Sequence, residues 1–278
     1  MKLNKLLLAT LLVGGVLGNT SCSGNTLVVY TESGFAPFEY VSNGAIVGVD
    51  VDIMNKVGEK LNKKVVFEDV SFDVIVDTVS EGKLTNVGAA GLSITKERKE
   101  KVDFSIPYYT ANLYVIFNVN NVDASFSNTM LDGNTGVYWS SLESTKGIGI
   151  QTGTTADFFL SDEVVEGGSL EGTKKTDYKS LDTAVADIGL SIDYVVIDEL
   201  PAKKLVENKS NLSCLPLYYE ELDGEKDVSA YDEYAIAVTK GETELLEAIN
   251  EVLTDLLVED ENGVTTIDKM VSEHLGIK

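Results

Sequence analysis

Short, β-rich apolar runs alternating with helically spaced segments constrain the fold of this chain more than any other feature. Leu27 to Thr31, Lys64 to Val70, Val87 to Leu92, Leu113 to Val119, Ile148 to Gln151, Tyr194 to Asp198 and Tyr234 to Val238 each read as a buried strand bounded by turn residues. Ile53, Met54, Val57 and Leu61 repeat at helical spacing, as do Leu245, Ile249, Val252, Leu253 and Leu256. Strands alternating with helices imply parallel α/β sheets. With 278 residues, 44% of them hydrophobic, and only four prolines, the chain can bury a sizeable core in one large or two ordinary domains. Residues 120 to 146, rich in Asn, Ser, Thr and Gly, read as a surface connection or the irregular first part of a second domain.

The first 21 residues hold the long apolar run Leu6 to Leu17, introduced by Lys2 and Lys5 and followed by Gly18-Asn19-Thr20-Ser21. That charged, apolar, small-residue order is that of a secretory signal peptide over residues 1–21, and the run is short for a membrane span. An uncleaved anchor is the alternative; under either reading the rest of the chain is exported. Leu17-Gly18-Asn19-Thr20-Ser21-Cys22 resembles the cleavage site of bacterial lipoproteins, which implies a lipid on the Cys22 thiol and attachment to the membrane through it. Cys214, in Leu212-Ser213-Cys214-Leu215, reads as an inert thiol of a short buried strand. If Cys22 carries no lipid, a Cys22–Cys214 disulfide remains open in the oxidising space outside.

Removing residues 1–21 deletes two lysines and no acids, so the formal charge moves from -23 to -25 (-23 minus 2). Such an acidic surface repels phosphate backbones, which excludes nucleic acid as a partner. The one histidine, His274, lies near the C-terminus, and no metal-ligand cluster or nucleophile with a partner base stands out, so neither metal nor cofactor is expected.

Against 21 lysines (22 basic residues less one), Arg98 is the single arginine. A chain that uses lysine wherever a point charge suffices keeps its planar, five-donor guanidinium for a task lysine cannot do, and gripping a carboxylate through two parallel hydrogen bonds is such a task. A surface or structural ion pair is the plainer alternative. Arg98 follows Val87-Gly88-Ala89-Ala90-Gly91-Leu92-Ser93-Ile94-Thr95, a strand and turn with Thr95 placed as N-cap and Arg98 in the first helical turn. A cation there opposes the helix dipole, so local helix stability does not account for it, whereas an anionic ligand at the edge of an α/β sheet does. A second strand, turn and helix is written in Gly147-Ile148-Gly149-Ile150-Gln151-Thr152-Gly153-Thr154-Thr155, with Thr154 or Thr155 as the cap. It lacks the lysine and spacing of a P-loop and does not fit GxGxxG.

Seven segments then stand in one order: Phe35-Ala36-Pro37-Phe38-Glu39-Tyr40, Gly48-Val49-Asp50-Val51-Asp52-Ile53, Phe72-Asp73, Ala89 to Arg98, Val102-Asp103-Phe104-Ser105-Ile106-Pro107-Tyr108, Gln151 to Thr155, and Tyr194-Val195-Val196-Ile197-Asp198. In that order they resemble the extracellular solute-binding proteins of polar amino-acid ABC transporters, over essentially everything after Cys22. Leu84-Thr85-Asn86-Val87 departs from the hydrophobic-Asp pair usual in that family.

The resemblance implies a type II periplasmic binding fold: two Rossmann-like α/β lobes joined by a two-strand hinge, the ligand held between them. Lobe one is expected over residues 26–112 and 232–278, lobe two over 113–231. By the same resemblance Arg98 clamps the α-carboxylate of a free amino acid, helped by Ser93 and Thr155, while Asp198 and the Gly91 carbonyl accept from the α-ammonium. Phe35 and Phe72 flank the ligand's side chain, and Glu32 reads its far end, as in members for basic amino acids or glutamine. Alternatives stand for each: Phe35 and Phe72 as core aromatics, Asp198 as a local cap, Glu32 as a solvated loop acid. A monomer is expected, with permease subunits as protein partners. The rival is a cleft enzyme of the same fold, similar to cyclohexadienyl dehydratase, with Glu32 or Glu199 as general acid.

Overall fold

The computed structural model describes residues 25–277; the leader, Cys22 and with them the lipid and disulfide readings lie outside these residues. Two mixed sheets organise two lobes. In the first, strands run in the order Lys64–Asp69, Thr26–Thr31, Val87–Gly88, Ala237–Thr239, Val102–Phe104. The first three are parallel and the last two pairings antiparallel. In the second, Lys175–Tyr178, Ile148–Gln151 and Tyr194–Asp198 are parallel, and Tyr109–Asn118 and Leu212–Leu222 follow antiparallel. In each of these series one strand is reversed against its neighbours, Ala237–Thr239 in the first sheet and Tyr109–Asn118 in the second.

Tyr109–Asn118 ties the lobes together. Its first four residues pair with Tyr231–Tyr234, and its remainder pairs with Tyr194–Asp198 and Leu212–Pro216. After Tyr234 the chain returns to the first sheet, where Ala235 N–H donates to the Leu92 carbonyl (3.0 Å) and Ser105 N–H to the Ile236 carbonyl (3.0 Å). The expected strand Tyr234 to Val238 is thus broken at Ala235 and Ile236, which separate Tyr231–Tyr234 from Ala237–Thr239.

The helical spacing at Ile53 to Leu61 becomes the helix Val49–Leu61, whose Ile53, Met54 and Val57 are fully buried. That at Leu245 to Leu256 becomes Thr243–Leu256, with all five named positions buried. A helix that was not anticipated, Thr266–Leu275, begins at a capping box of Thr265 and Asp268. It docks through His274, whose Nε2 lies 2.9 Å from Asp52 and Nδ1 3.2 Å from the Tyr40 hydroxyl. Residues 120 to 146 are more ordered than their composition implies. They form strands Asn128–Thr129 and Thr135–Tyr138 and a 3-10 turn Trp139–Leu142 that buries Trp139. Cys214 sits half-buried in Leu212–Leu222, longer than expected, and burial pushes its thiol up to about 11, consistent with an unreactive side chain. In the departing segment, the Thr85 hydroxyl donates to the Val28 carbonyl (2.8 Å) and accepts from Val87 N–H (3.0 Å), which stitches that strand to its neighbour.

Candidate functional site

The strand expected over Val87 to Leu92 pairs only at Val87–Gly88. Beyond it the chain turns along the interlobe face, and Gly91 takes φ +52, a conformation for which glycine is suited. A Cβ at Gly91 would lie 2.7 Å from the Phe35 ring, so the ring packs directly on the turn. Gly91 N–H donates to Asp50 Oδ2 (3.0 Å) and the Tyr108 hydroxyl to Asp50 Oδ1 (2.5 Å). Ile94 N–H then bonds the Glu233 carbonyl (2.9 Å), which fixes Ser93 beside the crossing strand.

Thr95 caps the one-turn helix Lys96–Lys99 by accepting from Arg98 N–H at 3.1 Å. Arg98, which follows, is 5% exposed, so it does not make its contacts at the surface. Its Nη1 donates to the Ser93 carbonyl (2.7 Å) and its Nη2 crosses the lobes to the Gly153 carbonyl (2.9 Å). Burial lowers its pKa to about 10, with Asp232 and then Asp198 acting against that shift, so it stays a cation at neutral pH. Phe72 lies 5.5 Å from it and Phe158 5.8 Å, one ring from each lobe.

In the second lobe the cap ambiguity resolves. Thr154 accepts from Asp157 N–H (3.3 Å) at the start of the helix Thr155–Glu163, which leaves the Thr155 hydroxyl to face the cleft. There it lies 3.5 Å from the Ser93 hydroxyl and donates to Asp232 Oδ2. Asp198 ends the strand Tyr194–Asp198 and makes no capping bond to the helix Glu199–Val206, so its side chain is not a local cap. It is buried, and burial, then Asp232, hold its carboxyl well above the usual range. The Tyr234 hydroxyl lies beside it, yet neither Asp198 Oδ1 nor that hydroxyl completes a hydrogen bond of full geometry.

The structure thus brings Ser93, Arg98, Thr155 and Asp198 to one buried junction, with Gly91 and Phe35 on its first-lobe wall. Phe35 also belongs to an aromatic cluster with Phe38 (6.0 Å) and Tyr234 (6.1 Å), so it is a core aromatic as well as the ring packed on the Gly91 turn. Phe72 packs on Arg98 and is only partly buried. Glu32 is partly buried, burial raises its pKa, and among the described residues no lysine or arginine pairs with it. Three participants escaped sequence reading: the Gly153 carbonyl, Phe158 and Asp232. The first had no side-chain signal to give. Asp232 faces inward with Tyr234 on the strand Tyr231–Tyr234, but Tyr-Asp-Glu-Tyr has no apolar alternation from which that face could be read.

Comparison with known proteins shows the family and the fold. The family model of bacterial extracellular solute-binding proteins, family 3, matches residues 27–264. A probable histidine-binding protein of Campylobacter jejuni is 29% identical over 211 residues, 74% of this chain and 72% of its own. A substrate-binding protein of an amino-acid ABC transporter, AbpA of Streptococcus pneumoniae bound to L-arginine, superposes with a TM-score of 0.74 at 27% identity, over 91% of this chain and 95% of that one. An ancestral arginine-binding protein bound to glutamine gives 0.70 at 30% identity, over 91% and 99%.

Proposed function

The chain belongs to the bacterial extracellular solute-binding proteins of family 3, and on that premise we propose that it captures a free amino acid between its lobes and delivers it to the permease of an ABC transporter. One observation carries the reading: the lone guanidinium, buried at the lobe junction, reaches the second lobe at Gly153 beside two hydroxyls and the acid Asp198. A zwitterion enclosed there loses its hydration, so each of its charges needs an opposite charge or fixed dipoles. Arg98, with Ser93 and Thr155, takes the α-carboxylate. Asp198 and the Gly91 carbonyl take the α-ammonium. Because these come from both lobes, the ligand favours the closed arrangement and shifts the population toward it; hinge closure in periplasmic binding proteins is a standard instance of such motion.

Phe35 and Phe72 flank the side chain and Glu32 meets its far end, which makes the ligand a polar or basic amino acid. A burial-raised acid that no cation pairs with among the described residues supports a positively charged ligand end. The lobes are taken as 26–112 with 232–278, and 113–231, because Tyr109–Asn112 and Tyr231–Tyr234 pair where the chain crosses. The family is extracellular, so the chain is exported; Cys22 is the proposed lipid attachment point, and the protein acts as a monomer. Relatives named as binding proteins, not enzymes, weigh against a dehydratase.

The test is mass spectrometry of what co-purifies, followed by thermal-shift measurement against the common amino acids. A ligand that binds only the native state raises the melting temperature. At least one of L-arginine, L-lysine, L-histidine and L-glutamine is expected to do so and to be recovered unchanged. No shift with any amino acid, or conversion of the ligand, overturns the proposal.

A further inference from the structure

An acid of the chain itself stands beside the place assigned to the ligand's α-carboxylate. Asp232 is 8% exposed and accepts the hydrogen bond of the Thr155 hydroxyl, which itself lies 3.5 Å from the Ser93 hydroxyl, and its charge acts on the Arg98 guanidinium nearby. Those are the three groups that grip the carboxylate in the reading above. The placement is fixed by backbone: Ser93 bridges to Tyr234, and Ile94 N–H bonds the Glu233 carbonyl at 2.9 Å. Across the pairing strand stands Ala111, which carries no charge. From the second lobe the facing ionisable group is Asp198, and on the same strand it is the Tyr234 hydroxyl. The junction therefore contains one cation and two acids before any ligand carboxylate arrives.

Resting on the proposed amino-acid site, we propose that Asp232 is a specificity-determining residue that competes with the ligand's α-carboxylate for Arg98, Ser93 and Thr155. Two carboxylates cannot both stay ionised against a single guanidinium without repelling each other. Entry of an amino acid obliges Asp232 to turn aside or take up a proton, and either event costs binding free energy. Burial, which already raises the Asp232 pKa, makes the proton the less costly route. A ligand without the acid group meets no such competition, and Asp232 is then an added anion near its ammonium. Asp232 thus narrows the margin by which the site prefers an amino acid over the corresponding amine.

The experiment uses the whole exported chain and whichever of L-arginine, L-lysine, L-histidine and L-glutamine the wild type binds most tightly. Its decarboxylated partner (agmatine, cadaverine, histamine or 4-aminobutanamide) is measured beside it by calorimetry. In Asp232→Asn the amino acid is expected to bind about tenfold tighter or more, while the amine binds no tighter than before. Asp232→Ser, with a smaller neutral side chain, is expected to act in the same direction and serves if the asparagine variant does not fold. A structural role alone would move both ligands together, so a parallel change in the two overturns the proposal. So does an unchanged affinity, or a weaker amino acid, which would make Asp232 a partner of the α-ammonium. If the wild type binds none of the four, the amino-acid reading fails and this inference with it; if it binds one and the selectivity does not widen, only this inference fails.

Discussion

Two glycine turns face each other across the cleft, and in each a carboxylate holds the backbone N–H. Gly91, at φ +52, donates to Asp50 Oδ2 at 3.0 Å; Gly153, at φ +81, donates to Asp157 Oδ2 at 2.9 Å. Their surroundings differ. Asp157 is ion-paired with Lys175. Asp50 is fully buried beside the equally buried carboxyl of Glu39, with the Tyr108 hydroxyl as a donor and, among the described residues, no cation paired with it. Burial accordingly raises Asp50 to about 6 and holds Glu39 well above the usual range, with Asp50 adding to the latter. One lobe steadies its turn with a carboxylate paired to a cation, the other with a carboxyl that burial makes easier to protonate. The roles invert at the cleft itself, where the first lobe contributes the guanidinium and the second mainly neutral dipoles and the acid Asp198.

The sharpest way to break that comparison is to remove the first lobe's cationic fork. Arg98→Lys is expected to keep the fold and to lose about several hundredfold in amino-acid affinity, because a point charge cannot satisfy a desolvated carboxylate in two directions. Calorimetry with the identified amino acid checks it, and an unchanged dissociation constant refutes the clamp.

That buried pair is tested next. Folded-state pKa values above the unfolded ones mean that this pair's contribution to stability is present below about pH 4 and is lost as pH rises through about 6 and beyond. Glu39→Gln supplies a neutral group without the proton, so the variant is expected to gain about 1 to 3 kcal/mol on the wild type at pH 8 relative to pH 5. Denaturant unfolding at the two pH values measures this, and identical pH dependence in both proteins would refute the eased protonation of the pair.

The smallest effect separates the two threonines of the second lobe. Thr154→Ala removes the helix cap and is expected to cost about 1 kcal/mol of stability while leaving ligand affinity within about twofold, since Thr155, not Thr154, faces the cleft. A large loss of affinity in this variant would show that the cap and the ligand contact are not separable.

Local chemistry was legible wherever a residue type was rare or its spacing periodic. The solitary Arg98 and its Thr95 cap were readable because a first-turn cation has no local justification. The buried faces of Val49–Leu61 and Thr243–Leu256 followed from their spacing. The strand expected over Val87 to Leu92 was too long, since apolar character cannot distinguish a paired strand from a buried turn that leaves the sheet at Ala89. The choice between Thr154 and Thr155 could not be read either, because both fit a cap and only the start of the helix decides.

By itself the sequence determined the alternation that makes two α/β lobes, the faces each helix buries and the one side chain suited to bind a carboxylate, since these depend on periodicity and residue chemistry alone. Only the tertiary structure decided what meets that side chain. The Gly153 carbonyl lies 55 residues from Arg98, and Asp232 lies 77 from Thr155. The two crossings near Tyr109 and Tyr231 bring them together, and a contact made by chain closure leaves no mark in the spacing of either partner.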